Sequence, residues 1–235
     1  MASRYAPWMH YQLLEKGPQP RHRHSTGYAA FILSGTYEEL GDTGRWQAEA
    51  GDIVYHHQLE AHANRVSSSC SIINIPVPGY LALPPMFQVE HPDDLLKALL
   101  LKSLVNCDED IMAILAPHQV KQPVIGDWPD MLARDLLEAP THLTRWANQA
   151  GIRPETVTRG FFKAYGTTPA RYRREAQTRR ALREIICSDC ALADIAYRTG
   201  FADQAHLTRS VVGLTGTTPR AWRKVKTVQY GYAAG

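Results

Sequence analysis

The carboxyl-terminal part of this chain contains the same segment twice, and an internal repeat constrains the fold more than any other feature. A pattern of leucine, alanine and glycine, each four positions apart, begins at Leu143 and returns forty-nine positions later at Leu192. The tetrapeptide Gly-Thr-Thr-Pro begins at Gly166 and returns fifty positions later at Gly216. A repeat of this length indicates one supersecondary unit that is used twice.

Each copy has the pattern of a helix, a tight turn and a second helix. In the first copy, Leu143, Trp146 and Ala147 share one helical face, which is the spacing of an amphipathic helix. Gly151 follows where a turn requires a positive φ, and Pro154 stands at a favoured first position for the next helix. Two copies in register therefore predict two helix-turn-helix motifs, a unit whose second helix enters the major groove of DNA.

Residues 141 to 226 resemble the DNA-binding domain of AraC-type transcriptional regulators. The stretch from Leu192 to Arg209 is similar to the signature of that family. The resemblance implies two helix-turn-helix subdomains joined by a long helix, here roughly Pro169 to Ile186. It also implies that one monomer faces two successive major-groove turns.

The resemblance further implies which side chains contact DNA, on the second helix of each copy. These positions are Glu155, Thr156, Thr158, Arg159 and Lys163 in the first copy, and Gln204, Ala205, His206, Thr208 and Arg209 in the second. The second copy departs from the family, because Val212 and Gly213 replace basic residues and Thr215 replaces an aromatic one. A glycine within a helix costs about 1 kcal/mol relative to alanine. We therefore expect a looser second subdomain with fewer phosphate contacts.

The charge distribution agrees with a nucleic-acid-binding module attached to a different domain. From Thr141 onward there are 16 lysines and arginines against 6 acidic residues, a balance of +10. The preceding 140 residues carry 10 and 17, a balance of −7, so the overall charge of +3 hides a basic part and an acidic part. Such an asymmetry is typical of DNA-binding proteins.

The first ninety residues have the pattern of short strands. Apolar stretches at 28–33, 37–40, 53–55 and 71–76 alternate with turn residues such as those at 41–44. Short strands at this spacing predict an antiparallel sandwich or barrel.

Histidines at matching spacings resemble the two motifs of a cupin barrel over roughly residues 20 to 75. His22 and His24 lie just before a predicted strand, and His62 follows the Gly51-Asp52 turn. In metal-binding cupins the first motif supplies two histidines and a glutamate, and Tyr28 stands near the place of that glutamate. The effector-binding residues that we expect are His22, His24, Tyr28, His57 and His62. His22, His24 and His62 are also the expected ligands if the site holds a divalent metal such as Zn²⁺, Ni²⁺ or Fe²⁺.

Three kinds of function fit these motifs. The first is a DNA-binding regulator, expected to be an activator, that is controlled by a small organic effector in the cupin-like domain. The second is a metal-responsive regulator that uses the three histidines. The third is a cupin metalloenzyme with a DNA-binding tail, which the missing carboxylate ligand disfavours, so we do not expect an enzyme.

Two helical segments connect the β-structure to the repeat. Leucines at positions 95, 96, 99, 100 and 104 form a wide apolar stripe, and a second segment, Asp108 to Leu115, includes Ile111 and Met112. They either cap the barrel or form a homodimer contact, and we favour the dimer contact for the first helix. Residues 117 to 126 then have the composition of a linker.

The expected architecture is multidomain α+β. We assign residues 1–90 to a cupin-like antiparallel β-barrel that senses a ligand, 91–126 to a helical connector, and 127–229 to an all-α double helix-turn-helix domain. The expected partners are double-stranded promoter DNA, RNA polymerase, a small-molecule effector and a second copy of the chain. The sequence has neither a run of about 18 apolar residues nor a secretory signal core, so we expect a cytoplasmic protein without membrane contact.

Overall fold

A computed structural model describes residues 10–77, 83–101, 113–138 and 141–229 of the chain. Its internal contacts divide the chain into two compact units. The first, which we call the β unit, runs to Met131 and takes in Gly160–Gly166. The second, the helical unit, comprises Leu132–Arg159 and the chain from Thr167 onward.

The β unit is built from two antiparallel sheets. Its strands are β1 (His10–Leu14), β2 (Gly17–Arg23), β3 (Tyr28–Ser34), β4 (Thr36–Gly41), β5 (Gly44–Glu49), β6 (Ile53–His56), β7 (Ala61–Val66), β8 (Cys70–Pro76), β9 (Met86–Gln88) and β10 (Gln119–Val120). The larger sheet has the order β1-β8-β3-β6-β9-β10, and the smaller has the order β2-β7-β4-β5. The predicted antiparallel β domain is therefore confirmed, and among the described strands no pairing joins the two sheets into a closed barrel.

Alternation along the strands produces two apolar clusters. On β3, Ala30 and Ile32 point to one face and Ala29 and Phe31 to the other, as the two-residue period of a strand requires. The inner cluster draws on both sheets and contains Leu14, Ala30, Ile32, Tyr37, Trp46, Ala48, Val54, Val66, Cys70, Ile72 and Met86. The outer cluster lies on the other face of the larger sheet and contains Ala29, Phe31, Ile53, Tyr55, Ile73, Ile75, Val77, Leu83, Phe87, Val89, Leu95, Leu99 and Leu115.

Helix α1 (Pro92–Leu101) covers the outer cluster. Asp93 and Asp94 lie in its first turn, where carboxylates stabilise the helix dipole. Leu95 and Leu99 are buried in the outer cluster, so this part of the leucine stripe caps the sheet. The predicted contributions of Leu104 and of residues 108–112 lie outside the described residues, and the dimer contact stays a prediction.

The segment predicted as a linker is partly attached to the larger sheet. Gln119 pairs with Gln88 and Val120 with Phe87, which makes β10 the edge strand beside β9. Lys121 then reaches back, with its Nζ 2.7 Å from an Asp52 carboxylate oxygen. Backbone pairing over two residues leaves almost no pattern in a sequence, which is why composition alone indicated a linker.

The helical unit and the helices that enter it follow the predicted repeat. The helices are α2 (Trp128–Glu138), α3 (Leu143–Gln149), α4 (Pro154–Tyr165), α5 (Pro169–Cys187), α6 (Leu192–Arg198), α7 (Gln204–Thr215) and α8 (Pro219–Gln229). The predicted long helix is confirmed as α5, which packs against α6, α7 and α8. It buries Tyr172, Ala181 and Ile185, and the Thr168 side chain caps its first turn. None of the helices among the described residues is both long and apolar enough to cross a membrane.

Candidate nucleic-acid interface and histidine cluster

The two predicted glycine turns have the same geometry. Gly151 has a φ of +67° and Gly200 a φ of +79°, both in the left-handed region that glycine adopts without a steric penalty. In each copy the amide of the residue after the glycine donates to the buried alanine's carbonyl, at 2.9 Å in the first copy and 2.8 Å in the second. The repeat in the sequence is therefore a repeat in the backbone, and both helix-turn-helix motifs are formed.

The second helix of each motif, α4 or α7, presents polar side chains at corresponding positions. Helix α4 buries Val157 and Phe161, and α7 buries Leu207 and Val211. The remaining faces carry the predicted contact residues: Glu155, Thr158, Arg159, Lys163, Gln204, Ala205 and Arg209 are exposed, and Thr156, His206 and Thr208 are half-buried. None of the ten side chains is buried, so all are placed where a ligand could reach them.

Helix α7 begins with a side-chain cap. The Asp203 carboxylate accepts a hydrogen bond from the His206 amide at 2.6 Å, which satisfies one of the unpaired amides of the first turn. The His206 ring lies edge-on to Phe201, with ring centroids 5.2 Å apart. Both contacts fix the start of α7, the end of the helix that enters a groove in this motif.

The two copies differ at the end of the second helix, where the first copy has Tyr165 and the second has Thr215. In the first copy the Tyr165 hydroxyl donates to Asp130 at 2.7 Å. In the second, the Thr215 oxygen accepts from the Trp222 indole and from the Thr217 amide, each at 3.0 Å. Thr215 therefore connects α7 to α8 by hydrogen bonds, at the position where the first copy has Tyr165.

The β unit brings a group of histidines together at one end of the space between its two sheets. The group, which we call the histidine cluster, consists of His22, His24, His56 and His62 with Tyr28 and Glu39. The Nε2 atoms of His24 and His62 are 3.1 Å apart, and the Tyr28 hydroxyl lies 3.2 Å from the first and 3.3 Å from the second. On the other side of its ring, His62 Nδ1 lies 2.8 Å from a Glu39 carboxylate oxygen.

Strand register explains why these residues meet. His22 pairs with His62 across β2 and β7, and Tyr28 pairs with His56 across β3 and β6. Glu39 faces the same side of β4 as Tyr37, which is part of the inner cluster. These side chains therefore meet from five strands or strand ends, with His22 at an exposed position and His56 and His62 buried.

Burial and neighbouring charges keep His24, His56 and Tyr28 uncharged. Burial, together with the charges of neighbouring histidines, lowers the pKa of His24 to about 4 and holds the pKa of His56 well below its ordinary value. Burial opposes the charged form of His62 as well, but the Glu39 carboxylate outweighs it and raises the pKa of His62. Burial, with nearby carboxylates, raises the pKa of Tyr28. At neutral pH, His24 and His56 are thus unprotonated imidazoles with free nitrogen lone pairs.

The structure places the predicted effector residues in two groups. His22, His24, Tyr28 and His62 lie together, and the two histidines at 22 and 24 precede β3 as predicted, with His22 at the end of β2. The ring of His57 lies against Tyr55, with ring centroids 4.5 Å apart, on the side of the outer cluster. His57 is therefore not part of the histidine cluster.

Glu39 and His56 are cluster members that the motif spacing did not identify. Glu39 lies between the two cupin-like motifs, and His56 lies within the second at a position that the motif does not assign to a ligand. The sequence contains one local signal for Glu39. This residue stands two positions after Tyr37, so it faces the buried and otherwise apolar side of strand β4.

The donor set fits a transition-metal ion. One nitrogen from each of His22, His24 and His62 lies within 4.8 Å of the others, and Glu39, His56 and His62 form a second, fully buried group with the same spacing. Imidazole nitrogens suit zinc, copper, iron and nickel, whereas calcium and magnesium prefer oxygen ligands. The carboxylate that the motif lacks at position 28 is present nearby, because Glu39 supplies it from β4.

Comparison with known proteins gives a match over the repeat. The family model described as a helix-turn-helix domain matches residues 146–225. The HTH-type transcriptional regulator GlxA of Rhizobium meliloti is 33% identical over 88 residues, which is 37% of this chain and 27% of that protein. The transcriptional activator NphR of Rhodococcus sp. is 30% identical over 94 residues, or 40% of this chain and 28% of that protein. The aligned part is therefore about a quarter of the length of these curated relatives.

Among solved structures, ToxT from Vibrio cholerae is similar with a TM-score of 0.40 and 8% sequence identity. The alignment covers 92% of this chain and 97% of that one. The family match covers both glycine turns, the second helix of each motif and the long helix that joins the motifs. The match over residues 146–225 identifies this part of the chain as a helix-turn-helix domain.

Proposed function

We propose that this protein is a sequence-specific DNA-binding regulator of transcription, and not an enzyme, and that a small ligand in its β unit controls it. The observation that carries the proposal is the repeated motif, with the same turn geometry and polar second helix in both copies. A helix-turn-helix motif presents its second helix to the major groove, and two in one chain provide two such helices.

We assign base contacts to the exposed faces of α4 and α7. Arg159 and Arg209 occupy the same position in the two helices, and a guanidinium can donate two hydrogen bonds to the major-groove edge of guanine. Gln204 is suited to adenine by the same geometry, and Glu155 to the amino group of cytosine. Lys163, farther along α4, is suited to a phosphate.

The ligand-binding part of the proposal concerns the histidine cluster. His22, His24, Tyr28 and His62 converge with Glu39 and His56, which provides both hydrogen-bond donors and acceptors for a small polar effector. We further propose that the regulator acts as a homodimer, contacts RNA polymerase and activates transcription. NphR, one of the two relatives, is a transcriptional activator.

A mobility-shift titration of the purified chain on its own upstream DNA tests this proposal. We expect binding that competitor DNA of unrelated sequence does not displace. Arg209→Ala should weaken the specific complex by about 1–3 kcal/mol and relax sequence preference at one base pair, because a bidentate contact to a base is lost. Arg183→Ala, in an exposed position of α5, is the matched control.

Two outcomes contradict the proposal at different levels. An Arg209→Ala variant with unchanged affinity for the specific site removes this residue from the set of base contacts. Absence of specific binding by the wild-type chain, even at low salt, contradicts the regulatory function itself.

The convergence of three imidazole nitrogens favours a second candidate, a metal-responsive regulator. In this case the metal is the signal, and specific DNA binding is lost in chelator and restored by one divalent ion. Binding that is unaffected by chelator favours the organic effector instead. The same titration, carried out with and without chelator, separates the two candidates.

A further inference from the structure

We infer that Glu39 positions His62 in a three-histidine site for a divalent transition-metal ion, with His22, His24 and His62 as ligands and the Tyr28 hydroxyl facing the ion. The inference builds on the metal-binding candidate above and does not depend on DNA binding. Position 28, where a metal-binding cupin would have a carboxylate ligand, is a tyrosine here. The carboxylate of Glu39 instead contacts the nitrogen of His62 that does not bind the ion. Each step depends on contacts within the β unit.

Hydrogen-bond acceptors fix the orientation of two of the three rings. His22 Nδ1 lies 2.9 Å from the Pro20 carbonyl oxygen, which can only accept, so this nitrogen donates. His62 Nδ1 lies 2.8 Å from the Glu39 carboxylate, which favours the proton on the same nitrogen. Both rings therefore keep Nε2 as the free lone pair. Metal-bound histidines usually have such a partner on the nitrogen that does not bind the ion.

The Nε2 atoms of His24 and His62 converge with the Tyr28 hydroxyl. The two nitrogens are 3.1 Å apart, and the hydroxyl, which has a single proton, lies within 3.3 Å of both. When the His24 proton is on Nδ1, the hydroxyl can donate to only one of the two nitrogens, and the other lone pair faces a like group. A cation between the nitrogens would satisfy all of them at once.

Glu39 lies on the wrong side of His62 to bind an ion that His62 shares with His22 and His24. Its carboxylate contacts Nδ1, whereas the other two histidines approach from the Nε2 side. Its side chain is only 2% exposed, and a carboxylate so deeply buried is stable only with partners. The Asn64 side chain also lies beside it, with the amide nitrogen able to donate to Glu39 at 3.0 Å. Glu39 is thus held in place to orient His62 and to strengthen its basicity.

A Zn²⁺ titration of the metal-free full-length chain, followed by calorimetry, tests the inference. We expect tight binding of one ion per chain, with Glu39→Gln weakening it about 10- to 100-fold, the usual effect of losing a carboxylate behind a metal-bound histidine. Glu38→Gln is the matched control, because Glu38 precedes Glu39 on β4, faces the opposite side and pairs with Arg65. The Glu38→Gln variant should bind Zn²⁺ with the same affinity as the wild-type chain.

Cobalt spectroscopy adds a measurement that a purely structural role would not change. Co²⁺ bound by three imidazoles and an oxygen should have visible absorption bands typical of four-coordinate geometry, and Glu39→Gln should shift or weaken them. His24→Gln, at a half-buried position, removes a ligand without touching Glu39 and should abolish the bands. Circular dichroism of each metal-free variant establishes that it folds.

Each result decides one part of the inference. A folded wild-type chain that binds neither Zn²⁺ nor Co²⁺ overturns the metal site. Equal Zn²⁺ affinity of the Glu39→Gln and Glu38→Gln variants overturns the positioning role. Because no DNA is present in these experiments, either failure leaves the proposed DNA-binding function untouched.

Discussion

Two glycines of the second helix-turn-helix motif, Gly200 and Gly213, differ in whether the backbone requires a glycine. Gly200 forms the turn with a φ of +79°, and a Cβ atom there would lie 3.2 Å from Gln177 Nε2. Gly213 lies within helix α7, and a Cβ atom there would have no neighbour within 4 Å. The turn therefore requires glycine, whereas the helix only tolerates it.

Alanine at these two positions should change stability in opposite directions. We expect Gly200→Ala to lower the free energy of unfolding by about 1–2 kcal/mol, the cost of a left-handed conformation for a residue with a Cβ atom. Gly213→Ala should raise it by about 0.5–1 kcal/mol, because alanine is the better helix former and the space is open. Urea denaturation followed by circular dichroism measures both. Shifts of the same sign would contradict the assignment of one of these glycines.

At the residue scale, the sequence predicted the positions whose requirements are local. Gly151 and Gly200 were identified because a turn between two helices at fixed spacing requires a positive φ. Glu39 and His56 were not identified, since their proximity to His62 depends on register between strands far apart in the chain. His57 lies apart from the other four predicted effector residues, because alternation in the chain directs it away from His56.

Helix α1 packs on the larger sheet through Leu95 and Leu99. Its stripe of leucines suggested a dimer contact, but Leu95 and Leu99 are 3% and 1% exposed and pack in the outer cluster of the larger sheet. A stripe that covers a sheet and a stripe that covers a second copy have the same periodicity. The sequence therefore predicted the helix, and only the structure identifies what these two leucines contact.

Truncation of Leu99 tests this role of α1. We expect Leu99→Ala to lower the free energy of unfolding of the β unit by about 2–5 kcal/mol, the range for a buried leucine that leaves a cavity. Lys97→Ala, on the exposed side of the same helix, should change it by less than about 0.5 kcal/mol. Chemical denaturation of the two variants at several protein concentrations provides the measurement. A loss of stability that appears only at high protein concentration would indicate a dimer contact instead.

Helices were easier to predict than strands for a physical reason. The bounds of α5 and the cap of α7 follow from periodicity, proline and Asp203, all of which act within a few residues. The strand β2 contains prolines and has a partly exposed pattern, and it is a strand because β7 pairs with it. Pairing of this kind is not encoded in any single segment.

The whole molecule combines a basic carboxyl-terminal part with an acidic amino-terminal part. The excess of +10 from Thr141 onward includes arginines of α5 as well as residues of α4 and α7. The structure leaves Arg173, Arg180 and Arg183 exposed on α5, so not all of the positive charge is on the recognition helices. A basic side chain adds to the electrostatic part of DNA binding only if it reaches a phosphate. The other basic side chains are solvated at the protein surface.

The salt dependence of DNA binding measures how much of this charge contacts DNA. If about four of the sixteen basic residues neutralise phosphates, log K should fall with log[salt] with a slope of about −3 to −4, since each contact contributes roughly −0.9. Fluorescence anisotropy with the full-length chain and its upstream DNA, between low and physiological salt, gives the slope. Lys163→Ala should reduce its magnitude by about 1 if this lysine contacts a phosphate, and should weaken binding to all sequences alike. A slope near zero would mean that the basic part of the chain is a solvated surface, and DNA recognition would then have to depend on uncharged contacts alone.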